Sequence, residues 1–204
     1  MKASIRQSTV HSAIGIWLFS TLLISSSILA QAKFIVWKNG KEIGKMETYV
    51  RQTAQGKWYG LTMEMRTKVI ASFQVRVQVL NFFDADNNLV EASYSRSMNN
   101  AAPKQHAIRQ SNGGYELAVH GNQNQMFTEA IQFSSLQLYF QEPLQVTHIF
   151  SENHCQNLPL KCMGKGVYSL QQPDGYITTY WFTNGRLEKI EGDSMFGKVQ
   201  FIRS

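Results

Sequence analysis

The chain is poor in charge and nearly free of cysteine. Charged residues make up 17% of its 204 residues, below the usual quarter, which argues against a disordered chain. With two cysteines, Cys155 and Cys162, and no Cys-x-x-Cys pair, a zinc module is not expected, although His148 and His154 stand close to them. The 14 acidic residues are sparse, and Glu129, Glu142 and Glu152 are separated by loops. No glycine-rich phosphate loop precedes a helix, and no set of residues assembles a nucleophile, base and orienter. Sustained helical periodicity is also missing beyond residue 32. These absences leave no expected cofactor, metal or catalytic residue.

What the chain has is strict alternation. Phe73, Val75, Val77 and Val79 alternate with Gln74, Arg76 and Gln78, the period of a half-buried strand. Leu61, Met63 and Met65 repeat it, as do Tyr115, Leu117 and Val119. Hydrophobic residues at 43% supply a core, and aromatics at 12% suit pleated surfaces. Turn signals arrive every eight to fourteen residues: Asn39-Gly40, Ala54-Gln55-Gly56, Ser111-Asn112-Gly113-Gly114, Pro173-Asp174-Gly175 and Asn184-Gly185. The expected fold is one all-β domain over residues 33–204. About ten to twelve antiparallel strands curve into an open barrel or half-barrel, with a closed barrel or sandwich left open. Residues 127–140 fit a turn or short helix followed by a strand to Glu142-Pro143. Residues 151–166 read as a long loop.

Residues 1–32 have the form of a secretory signal. Lys2 and Arg6 give a basic start, residues 13–30 are mostly apolar, and Ala30-Gln31-Ala32 is a small-x-small cleavage site. Serines at 20, 25, 26 and 27 weaken the stretch as a permanent anchor. Cleavage leaves 172 residues with a charge of +4, since +6 loses two basic residues and no acidic one. The expected product is a soluble periplasmic or extracellular protein. Its modest, scattered charge points away from nucleic acid and leaves weak contact with anionic headgroups or envelope proteins open.

Export brings oxidising conditions, so Cys155 and Cys162 are expected to form a disulfide pinning the 151–166 loop. Asp84-Ala85-Asp86-Asn87-Asn88 starts like a calcium loop. Leu89 and Ser95, however, occupy the positions that need Gly and Glu, so a hairpin turn is expected. Gly192-Asp193-Ser194 resembles the nucleophile block of one lipase family. The Gly-x-Ser-x-Gly elbow is incomplete, because Phe196 fills its last place. His106 and His120 read as isolated, exposed strand residues.

Asn39-Gly40-Lys41-Glu42-Ile43-Gly44, Leu138-Tyr139-Phe140-Gln141-Glu142-Pro143 and Thr183-Asn184-Gly185-Arg186-Leu187 resemble an uncharacterised family of secreted bacterial envelope proteins. That resemblance brings no activity with it. The run of long antiparallel strands after a signal also resembles periplasmic carriers of lipoproteins and lipids, which are curved half-barrels. Two readings compete. In one, an apolar, lipid-like ligand sits in the concave face against Met63, Met65, Phe73, Tyr139, Tyr180 and Phe182, with Trp181 beside them. In the other, the chain is a structural or interaction protein of the envelope, or a hydrolase using Ser194 or Glu129 with Glu142. An integral outer-membrane barrel is not expected, because the strands lack evenly spaced outward apolar faces and the chain ends in Ile202-Arg203-Ser204. The oligomeric state is left open.

Overall fold

The computed structural model describes residues 27–68, 72–99, 101–120, 122, 124–194 and 197–204. Most of the expected signal lies outside them. The expected cleavage point after Ala32 falls within the first strand.

Alternation produces a meander. β1 (Ser27–Lys38), β2 (Lys41–Gln52), β3 (Gly56–Lys68) and β4 (Ser72–Asp84) are the long strands. Asn39 and Gly40 turn β1 into β2 with φ of 50° and 73°, the two positive angles that a tight hairpin with right-handed strand twist requires. The strands β5 (Leu89–Met98), β6 (Lys104–Ser111), β7 (Gly114–Val119) and β8 (Gln125–Phe127) continue to one edge of the sheet. The chain then crosses the interior through a short 3-10 helix, Ser135–Tyr139. It resumes at the opposite edge with β9 (His148–Ser151), β10 (Gln156–Gly164), β11 (Val167–Gln171), β12 (Ile177–Thr183), β13 (Arg186–Gly192) and β14 (Val199–Arg203). β14 pairs with β1, so the two ends of the described chain lie side by side in mid-sheet. All fourteen strands form one antiparallel sheet.

The sheet curls until its edges meet without pairing. Phe127 of β8 and Phe150 of β9 touch edge to face, with ring centroids 5.5 Å apart. The crossing segment lies along the β9 edge and reaches β5: Phe150 N donates to Phe133 O, Ser134 bridges Phe150 in parallel, and Leu89 N of β5 donates to Ile131 O. The edge of β9 is thereby covered, the usual protection for an exposed edge strand. One apolar cluster, drawn from β1 to β13 and the 3-10 helix, fills the interior. Leu136, Gln137 and Leu138 of that helix are almost wholly buried, so the helix plugs the barrel.

The curved, antiparallel all-β expectation therefore holds, with more strands than expected. β10 occupies most of the segment read as a loop. Its buried residues, Leu158 and Leu160, flank Pro159, and proline in a run argues against a strand. The short helix expected within 127–140 is present as the 3-10 helix, and the strand expected to follow it to Glu142-Pro143 is not formed. Asp84 belongs to a hairpin turn, where its carboxylate accepts from Asn88 N at 2.8 Å.

Candidate ligand-binding cavity

On β4, Val75, Val77 and Val79 face inward, and so do Met63 and Met65, their neighbours on β3. Of these, Met63, Met65, Val77 and Val79, with Met46, Leu61, Ile190, Val199 and Phe201, make the apolar part of the lining of a cavity of about 280 Å³. The rest of the lining is polar: Ser135, Glu152, Asn153, Gln172, Thr178, and the loop residues Asp193 and Ser194. Leu136 and Tyr139 of the 3-10 helix floor the cavity, which runs from there towards the β13–β14 loop.

Glu152 is the only carboxylate among the almost fully buried described residues, at 1% exposure. It follows β9, in the turn before β10. Three donors hold it: Asn81 Nδ2, Ser135 Oγ and the backbone N of Leu136. Asn81 Nδ2 also donates to Ser134 Oγ at 2.9 Å. The carboxylate thus ties β4, the 3-10 helix and the β9–β10 turn together. Burying it is tolerable because donors reach both of its oxygens. Three tyrosines share the cavity. Burial pushes Tyr94 up to about 12, opposed by Arg96 and assisted by Glu152. Burial also raises Tyr139 and Tyr180, and the Glu152 charge adds to both. All three therefore keep their protons and can donate at neutral pH.

Four of the six expected ligand contacts, Met63, Met65, Tyr139 and Tyr180, line this cavity. Phe73 packs instead on a smaller apolar cluster of Val36, Met65, Val75 and Val199. Phe182 is buried against Tyr168, edge to face at 5.6 Å, away from the cavity lining. Trp181, which alternates with the inward Tyr180 and Phe182, lies outside under the Lys189 ammonium, 4.6 Å from its ring centroid. The hydrolytic sets do not converge. Ser194 reaches the cavity, but its Oγ donates to Gly197 O at 2.7 Å. Glu129 accepts from Asn157, and Glu142 accepts from Tyr168. Those two partners face opposite sides of the sheet, since Tyr168 pairs with Cys162, in step with the inward Leu158 and Leu160.

His106 is buried, not exposed, at 3%. It lies beside Tyr94 with both ring nitrogens unpartnered among the described residues. Burial lowers its pKa, with Lys104, His120 and His154 contributing.

The disulfide expectation is also corrected: Cys155 is a buried free thiol and Cys162 an exposed one. Cys155 sits just before β10 and Cys162 near its end. Seven residues of extended chain span about 20 Å, whereas a bridge needs Cα atoms within about 7 Å. Burial and the Glu152 charge push the Cys155 thiol up to about 11. Titration with an aromatic disulfide reagent is therefore expected to count one thiol in the native protein and two in denaturant. No thiol in denaturant would establish the bridge.

Sequence reasoning missed Glu152, Asn81 and Tyr94. Asn81 carried a legible signal: it continues the inward stripe Val75, Val77, Val79 and precedes the buried Phe83. A polar residue on an apolar stripe needs a buried partner. Glu152 gave no such signal, because no periodicity surrounds it.

The fold and cavity define a class: a curled, unclosed antiparallel barrel, plugged from within and holding one amphipathic cavity. In overall fold the chain is similar to a β-barrel-like protein of the domain of unknown function DUF1849 from Brucella abortus. It is 12% identical, with a TM-score of 0.55 over 89% of this chain and 96% of that one. The chain itself belongs to the family of the domain of unknown function DUF6134, which spans residues 34–204. No curated protein matches the sequence.

Proposed function

We propose that this protein is exported and binds or carries one small, apolar-bodied molecule inside the curled sheet. The observation that carries the reading is the mixed lining of the cavity, methionine and aliphatic side chains together with polar groups around Glu152. Its volume, about 280 Å³, is near the lower end of the roughly 300–1,000 Å³ usual for small-molecule sites. That size suits a single short chain better than a multi-chain lipid. Methionine on the wall adapts to varied apolar shapes. Export is supported by the basic, apolar and small-x-small order of residues 1–32 and by a family span that begins at Phe34.

Binding of N-phenyl-1-naphthylamine, a neutral apolar fluorophore, tests the reading. Its emission is the better readout, since Trp181 lies outside the barrel and Trp58 stacks on Phe82, on strand positions that alternate with the inward Tyr59 and Phe83. Saturable one-to-one binding is expected. Met63→Trp, which fills the cavity, is expected to weaken it by about tenfold, the equivalent of roughly 1.4 kcal/mol. No binding to the wild type, or unchanged binding to a folded Met63→Trp, overturns the reading.

A further inference from the structure

The Glu152 carboxylate keeps acceptor capacity to spare. A carboxylate offers about four acceptor sites, and three donors reach Glu152 from the protein. Behind it, Asn81 Oδ1 is fully buried and accepts no hydrogen bond among the described residues. That acceptor lies behind the lining, and the residue that a ligand can meet is Glu152. Glu152 itself lines the cavity. A second carboxylate or a phosphate brought against this wall would meet a like charge with little water to screen it.

We propose that the ligand presents a hydrogen-bond donor, an alcohol or an ammonium, to the Glu152 wall, so that the cavity selects neutral or cationic amphiphiles over fatty acids and other anions. This rests on the amphiphile reading and makes it specific. The apolar body lies along Met63, Met65 and Val77. The donor end reaches the side formed by Ser135, Glu152 and Asn153. The tyrosine hydroxyls of Tyr94, Tyr139 and Tyr180 can accept as well as donate, and so tolerate either donor class.

The surface pulls the other way. Neighbouring strands of an antiparallel sheet alternate in direction, so the C-terminal ends of β1, β3, β5, β7, β9, β11 and β13 lie together at the end of the sheet where the cavity approaches Asp193 and Ser194. The residues at and beside these ends include Lys38, Lys41, Lys68, Lys104 and Lys198 against Glu42, Asp174 and Asp193. The whole chain is basic, at +6. Long-range attraction therefore favours anions. A preference for amines or alcohols can only come from inside the cavity.

The test is displacement of N-phenyl-1-naphthylamine by 1-decanol, decylamine and decanoate, which share one tail. At neutral pH and about 150 mM salt, where surface charges are screened beyond roughly 8 Å, decanol and decylamine should displace the probe at concentrations about tenfold below decanoate, given the cost of juxtaposed like charges. In Glu152→Gln the preference for decylamine over decanoate should fall to about threefold or less, the residual expected of a neutral acceptor. Equal displacement by all three, or a preference for decanoate, overturns the donor proposal and leaves the amphiphile reading intact. Failure of the probe to bind overturns both. The wild-type series decides the matter even where Glu152→Gln does not fold.

Discussion

Glu152→Ala is expected to cost the fold about 3–5 kcal/mol. The substitution strips the acceptor from Asn81 Nδ2, Ser135 Oγ and Leu136 N at once. Asn81 is fully buried and keeps its bond to Ser134. Each buried donor left unsatisfied costs roughly 1–3 kcal/mol, and Ser135 recovers part by turning its hydroxyl elsewhere. The loss would be felt beyond the cavity, because Glu152 joins β4 to the 3-10 helix and to the turn before β10. Glu152→Gln should be milder, at about 1–2 kcal/mol, since its amide oxygen still accepts while its NH2 faces donors. Urea unfolding followed by far-ultraviolet circular dichroism reads both. A loss below about 1 kcal/mol for alanine would mean that the carboxylate does not link these three elements.

That link explains what could be read from the chain and what could not. The long strands were legible because each keeps one greasy and one wet face over many residues. Met63, Met65, Val75, Val77 and Val79 all point inward as their spacing requires. Asn39-Gly40 and Asn184-Gly185 gave their hairpins through angles that few residues adopt. The plug was ambiguous because Leu136, Leu138 and Phe140 satisfy the strand period as well as they satisfy one turn of helix. Its 3-10 form is set by surroundings: Ser134 N donates to Gln137 Oε1 and Ser135 Oγ to Glu152, while the barrel encloses both leucines. Phe182 and Tyr180 show the limit of face assignment. Both point inward, yet only Tyr180 reaches the cavity, because depth along the barrel depends on where the plug sits. The polar wall depends on contacts between residues as distant as Asn81 and Glu152, and such pairs leave no local pattern.

Phe34→Ala should be as damaging, at about 3–5 kcal/mol, the range for deleting a buried phenylalanine side chain. Phe34 is fully buried on β1, the strand that joins the β2–β8 half of the sheet to the β9–β14 half. Its ring meets Tyr139 of the plug edge to face at 6.1 Å, worth about 0.5–1.5 kcal/mol beyond area alone. It also lies 5.1 Å from the guanidinium of Arg203 on β14, whose Nε donates to Leu187 O of β13. One ring thus supports the seam between halves and the floor of the cavity. A domain of this size holds roughly 5–15 kcal/mol in total, so the variant should unfold at a much lower urea concentration. Probe binding should weaken too, because Tyr139 loses the contact that sets its ring. Phe82→Ala is the matched control: its ring stacks on Trp58 at 4.9 Å, half-buried on the outer face, and its loss should cost about 1 kcal/mol with binding unchanged. Equal destabilisation by the two variants would show that the interior seam carries no more of the fold than the outer aromatic pair, and the plugged-barrel account of the cavity would fall with it.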